Sequence, residues 1–220
     1  MMIQSQMCVS SESENRKFSK TDYLDIAVYG RLQADRTLQP IVFELLGKAR
    51  ELADQTSVKV SLVMIGSHIS RYARDLFRYG ADRIFVYDDP LYENLNSDIA
   101  RSILEHFFEN YKPSVMLFGD NNGESDTVES VFRQNKAAFA CRQAIFSIRS
   151  NKDLDFSNDS QHPELVHISD FRPQLVSVPG GIFQPPVPNL SRRGELILCE
   201  QPSNLSHQEK NTTYKKLLDD

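Results

Sequence analysis

Five residues with a glycine at each end, Gly119-Asp120-Asn121-Asn122-Gly123, follow the apolar run SVMLF (Ser114 to Phe118) and precede residues that can start a helix. In an open α/β sheet that is where ligands settle, and where a helix amino terminus attracts phosphate. The spacing is neither GxGxxG nor a phosphate loop with its Lys-Ser/Thr pair. Asp120, Glu124 and Asp126 also place three acids where an anion would arrive. The segment therefore reads first as a connecting loop. Gly119, Asp120 and Gly123 are the candidate contacts should an AMP- or ATP-type nucleotide bind there.

Other polar residues have plainer readings. His68, in Gly66-Ser67-His68-Ile69-Ser70, would need a positioned partner to act as a base; a polar residue at a helix entry is the simpler reading. His106 falls within a helical stripe, where a solvated face is expected, and His162 and His167 flank a short strand without ligand spacing. Asp88-Asp89 precedes Pro90, which suits a strand-ending turn better than a metal pair. Arg172-Pro173-Gln174 reads as a strand entry with proline fixing the turn. Cys141 has no neighbouring histidine to activate it and reads as a small buried residue. No catalytic and no metal-binding set emerges.

The wider composition excludes several classes. The 220 residues carry 25 Lys+Arg against 30 Asp+Glu, a formal charge of −5, so there is no basic footprint for nucleic acid or an anionic membrane. No run reaches the roughly 18 apolar residues of a membrane span. Cys8, Cys141 and Cys199 are scattered without a CxxC, which argues against a disulfide framework or a cysteine zinc site. The amino terminus lacks the charged and apolar regions of a secretory signal. A cytoplasmic protein without membrane insertion is the expectation.

Chemistry at a sheet edge needs elements to build the edge, and the chain alternates accordingly. Apolar runs LDIAVY (24–29), VKVSLVMI (58–65), RIFVY (83–87) and SVMLF (114–118) predict strands. Between them, Ile41, Leu45, Ala49 and Leu52 form a wide stripe after Pro40, Ile69 to Leu76 a shorter one before Gly80, and Ile99, Ile103, Phe107 and Tyr111 a third behind Asn96-Ser97. A weaker helix is expected through Val128, Val131, Phe132 and Phe139. Beyond it come short strands at 144–148, 165–168, 175–178 and 195–199, and the polar stretch Asn151 to Glu164. The expected fold is α/β, a doubly wound and mainly parallel sheet with additional short strands at the carboxyl end. Residues 1–20 and 201–220 read as disordered tails around a domain at 21–200.

Four segments in this order resemble one family. IVFELLGKARELAD (41–54), YGADRIFVYDDP (79–90), KPSVMLFGD (112–120) and FRPQLVSVPGGIF (171–183), followed by SRRGELILCE (191–200), are similar to the amino-terminal domain of the electron-transfer flavoprotein alpha subunit. The resemblance covers about residues 24–200 and implies an adenine-nucleotide-hydrolase-like, Rossmann-like fold. It also implies a partner, a beta-type subunit of related fold, and a role as scaffold in electron transfer from dehydrogenases rather than as a catalyst. Family members carry a second domain with most of the FAD contacts; here residues 201–220 are polar, and serines stand at two arginine positions of the family's loop, in GESDTVES (123–130). FAD is thus expected in the assembled complex and not on this chain alone, with a separate FAD-domain chain or a dehydrogenase as further partners. The alternatives are a stand-alone AMP- or ATP-binding domain, or a degenerate alpha subunit without redox function. The wide stripe on 41–54 and the late strands are expected at a partner contact, since a doubly wound unit would leave them little to pair with.

Overall fold

A computed structural model of the chain describes residues 20–120, 138–140, 144–149, 152–157, 166–167, 172–202 and 205. Four strands form where the apolar runs predict them: β1 (Ile26–Gly30), β2 (Val60–Gly66), β3 (Arg83–Asp88) and β4 (Val115–Asp120). Every residue of β1 and β2 is buried. Such runs cannot alternate, because helices cover both faces of a parallel sheet. β1 pairs in parallel with β2 (Ile26 opposite Val60) and with β4 (Ile26 opposite Val115).

The helices account for the two covers. α1 (Pro40–Thr56) starts with proline in its first turn, where no amide hydrogen is needed. It ends at Ser57, left-handed at φ 55°, whose N–H returns to the Ala53 carbonyl. Its apolar residues pack on one face of the sheet together with the short α2 (Ala73–Arg78). The other face is covered by α3 (Ser97–Tyr111), whose Asn96 side chain accepts from the Ile99 N–H at 2.8 Å. Ala27, Phe85, Ile103, Phe107 and Phe118 form the core there.

Later elements depart from expectation. Phe139, expected on a helix, lies in the strand β5 (Ala138–Ala140); Val128, Val131 and Phe132 lie outside the described residues. β6 (Ala144–Ile148), β7 (Leu154–Ser157) and β8 (Val166–His167) make a small antiparallel sheet, with β7 inside the stretch that read as merely polar. β9 (Gln174–Pro179) and β10 (Glu195–Leu198) complete the main sheet, whose seven parallel strands run β10-β3-β2-β1-β4-β9-β5. All four of the late strands therefore find partners within the chain, contrary to the expectation that they would be left over. The breadth of α1 is likewise met internally: Ile41, Val42, Leu45, Leu46, Ala49, Leu52 and Ala53 are all buried. The packed region also passes residue 200, because Pro202 is buried and Leu205 enters the core on the α3 side; residues 1–19 and 206–220 lie outside the described ones.

The segments that carry the family resemblance meet one another as clasps. Asp82, of the YGAD segment, accepts from Arg50 (2.6 Å), from the Val60 N–H (2.9 Å) and from Arg192 (3.0 Å), of the SRRGEL segment. Burial pushes the Asp82 carboxyl up, and the Val60, Arg192 and Arg50 donors together outweigh it, leaving the group below its ordinary value. Glu44 on α1 accepts from the N–H groups of Gly181 (2.9 Å) and Phe183 (3.3 Å), and so ties the proline-rich connector onto the helix. A Cβ on Gly47 would lie 2.8 Å from Pro186 Cδ, so the same connector needs a glycine on α1 to approach this closely.

Candidate functional site at the carboxyl edge

The chain runs β1 to β2 to β3 toward one side of the sheet, and β4 lies on the other side of β1. The carboxyl ends of these strands are where a ligand crevice forms in open α/β sheets. Gly119 and Asp120 stand at the end of β4, as expected. A Cβ on Gly119 would lie 2.7 Å from Ile41 Cγ2, so the first turn of α1 supplies a packing reason for that glycine. Gly123, Glu124 and Asp126 lie outside the described residues.

The other singled-out residues resolve into structural partners. Asp88 accepts from the Ser70 hydroxyl (2.7 Å) and N–H (3.1 Å), and Asp89 from the Leu91 N–H (2.9 Å); each closes its own turn. Burial raises the Asp88 carboxyl, and the donors of Ser70, His68 and Ile69 bring it below its ordinary value. His68 is left-handed at φ 55°, its Nδ1 2.8 Å from the Ser67 hydroxyl. His106, expected on a solvated face, instead meets the hydroxyl of buried Tyr87 through Nδ1 at 2.9 Å. Arg172 pairs with Asp153 at 2.5 Å, both side chains buried, and Gln174 Oε1 accepts from the Leu154 N–H at 3.1 Å. Arg172-Pro173-Gln174 thus joins the small sheet to the large one. Cys141 and His162 lie outside the described residues, and His167 is in β8. Among the described residues no group of His, Cys, Asp and Glu is placed to hold a metal ion. None of their helices is long and apolar enough to cross a membrane.

What sequence reading missed is a cleft of about 670 Å³ on the β2 side of β1. Three segments build it: the loop 31–36 after β1, residues 65–67 at the end of β2, and Tyr92, Glu93 and Leu95 in the turn after β3. The first loop is held by an Asp35 carboxylate that accepts from the Thr37 N–H (2.9 Å) and hydroxyl (2.6 Å), bonds that lower its pKa. Arg36, left-handed at φ 64°, forms an ion pair with Glu93 across the rim. Its carbonyl accepts from Tyr72 OH. Arg31 lies over the Tyr29 ring at 5.9 Å. The available signal was slight: Gly30-Arg31 and Gly66-Ser67 each end a strand on a glycine followed by a polar residue.

Comparison with known proteins agrees with the fold. Residues 26–134 match the family described as the electron transfer flavoprotein domain. The chain is 28% identical over 204 residues to the electron transfer flavoprotein subunit alpha of Megasphaera elsdenii, covering 89% of this chain and 60% of that protein. It is 32% identical over 146 residues to the lactate dehydrogenase (NAD(+),ferredoxin) subunit LctC of Acetobacterium woodii, covering 66% of this chain and 35% of that one. Protein FixB of Azorhizobium caulinodans is 30% identical over 147 residues, with 64% and 40% covered. The chain spans between about a third and 60% of the length of these relatives. With the parallel sheet, the clasps formed by its motif segments and this set of relatives, the chain belongs to the electron transfer flavoprotein family, as a domain of alpha-subunit type.

Proposed function

We propose that the chain serves as an alpha-type component of an electron-transfer flavoprotein, a scaffold that docks a beta-type subunit while the flavin is held by the assembly. The observation that carries the reading is the alignment with an alpha subunit over 89% of the chain. Supporting it, apolar side chains stay exposed on the connector and on the edge strand: Val187, Leu190, Leu196 and Leu198. Along β10 only Ile197 turns into the α3-side core, and its neighbours Leu196 and Leu198 face away from it. A row of this kind on an open sheet edge is a liability that soluble chains usually cover. The scaffold itself performs no bond-making step, and electrons pass between a dehydrogenase and an acceptor through the flavin of the complex. The test is co-expression with a beta-type subunit followed by absorption spectroscopy. The complex is expected to carry flavin and the chain alone none. Stoichiometric flavin on the isolated chain would sink the scaffold reading.

A further inference from the structure

We propose that the outer side of β10, with the flank of α2 beside it, is a strand-addition site for an extended segment of the beta-type partner that alternates apolar side chains with carboxylates. The inference rests on the scaffold reading above and adds the chemistry of the contact.

Among the described residues β10 is the outermost strand on its side of the sheet, paired in parallel with β3. The Glu195 N–H donates to the Asp82 carbonyl at 2.9 Å, and the Cys199 N–H to the Val86 carbonyl at 2.9 Å. Successive residues of a strand turn their backbone groups to opposite sides, so the N–H and C=O groups of Leu196 and Leu198 point outward. Such a row is a template for a further strand. The side chains at the same two positions define the face. Leu196 and Leu198 stand opposite Ile84 and Val86, which belong to the core on the α1 and α2 side, yet both leucines are exposed. The cover of that face therefore ends before the last strand. A strand added at β10 would lay its own apolar side chains alongside both leucines.

The charge around the edge gives the polar half of the partner segment. The connector crosses from α1 to α2, with Pro186 against Gly47 and the Asn189 N–H on the Arg78 carbonyl at 2.8 Å. It then enters β10 through Gly194, which lies against the Phe77 ring. Phe77 thus marks the flank of α2 that borders the edge, and Arg74 stands one turn before both Phe77 and Arg78 on that flank. With Arg192 and Arg193 of the connector, four arginines gather here against Asp75 and Asp82, in a chain whose net charge is −5. Glu195, the acid of β10 itself, pairs with Arg83 and shares the other face with Ile197. A cationic surplus beside an apolar strip favours carboxylates in the partner and repels a basic segment. It also disfavours a second copy of this chain, because two β10 strands paired antiparallel would set both arginine flanks on one face.

The experiment uses the full chain and a co-expressed beta-type subunit. Amide hydrogen exchange reads the added strand: the Leu196 and Leu198 amides should slow by at least about tenfold on docking, while those of Glu195 and Cys199, already bonded to β3, should change little. Leu198→Pro removes an outward N–H without touching the ladder to β3, and should weaken the complex by about tenfold or more. Arg74→Glu, at an exposed helix position, should weaken it on the same scale, and keeps the test open should the proline variant fold poorly. The affinity of the wild-type pair should fall with added salt, and that of Arg74→Glu should fall less. A complex in which the Leu196 and Leu198 amides exchange as in the free chain overturns strand addition and leaves the scaffold reading standing. So does a complex indifferent to both salt and Arg74→Glu, or one strengthened by that variant. Self-association of the chain alone with those two amides already protected overturns the proposal in favour of a second copy. Absence of any complex overturns both this inference and the scaffold reading.

Discussion

Replacing Asp82 by alanine removes the junction of three segments at once. The Val60 N–H, on a fully buried strand residue, loses its 2.9 Å acceptor, and an unsatisfied buried donor costs about 1–3 kcal/mol. Arg192 loses its 3.0 Å bond, while Arg50 keeps Asp54 at 2.8 Å and the Val58 carbonyl at 3.3 Å. These partly exposed pairs add about 1 kcal/mol after solvent screening. The sum is about 2–4 kcal/mol, and at about 2–4 °C per kcal/mol for a chain of this size the midpoint falls by about 6–12 °C for 3 kcal/mol. Asp54→Ala is the matched control, because its side chain is 68% exposed and bonds the same arginine; it should cost about 1 kcal/mol or less. The pH dependence follows from the depressed carboxyl. The unfolded chain takes up the Asp82 proton near the ordinary 3.8 and the folded chain only below it. The stabilisation is therefore complete above that value and lost as pH falls through the folded one. Thermal unfolding of wild type, Asp82→Ala and Asp54→Ala, repeated down to acidic pH, reads both effects. Equal midpoints for the two variants at neutral pH would refute the reasoning, as would a gap between wild type and Asp82→Ala that widens on acidification.

Other substitutions probe the remaining clasps. Gly194→Ala drives a Cβ against the Phe77 ring and to 2.6 Å from the Asp82 carbonyl, so calorimetry should show a loss of about 1–3 kcal/mol. Arg172→Ala strips the guanidinium from the buried Asp153 carboxylate and should cost about 3–5 kcal/mol, whereas the paired apolar replacement Arg172→Leu with Asp153→Leu should cost markedly less. Glu44→Ala releases the Gly181 and Phe183 amides; limited proteolysis should then cut the connector faster than in wild type, at little cost in thermal midpoint. Burial, reinforced by the neighbouring Cys199, raises the Tyr111 phenol to about 12, so a difference titration against Tyr111→Phe should show no phenolate step near 10.0.

The strands and helices of the first half were legible because burial on both faces writes continuous apolar runs, and Pro40, Asn96 and Gly80 mark element ends by local backbone chemistry. β7 was not, although Leu154-Asp155-Phe156-Ser157 alternates. Its acids looked like loop composition, yet Asp155 accepts from the Ser147 hydroxyl and Arg149. The places of β9 and β10 were hidden for a different reason: strand order is decided by tertiary pairing, and Leu196 opposite Ile84 leaves no mark in sequence spacing. His106 shows the same limit, since a helical stripe does not reveal a hydroxyl reaching it from β3. The Gly119 loop could be found from a strand followed by glycines, whereas the Arg31 cleft is assembled from three separate turns. No local pattern encodes that convergence.

Association with a beta-type subunit bears most directly on the scaffold reading. Size-exclusion chromatography with light scattering on the co-expressed pair measures it, with Leu198→Asp as the perturbation, because Leu198 is 69% exposed on the edge strand and its replacement leaves the core untouched. A one-to-one complex at micromolar concentration, weakened by that substitution, is the expected result; a lasting interface of this kind buries about 1,000 Å² or more. A chain that elutes as a monomer beside a folded, co-expressed beta-type subunit would contradict the account.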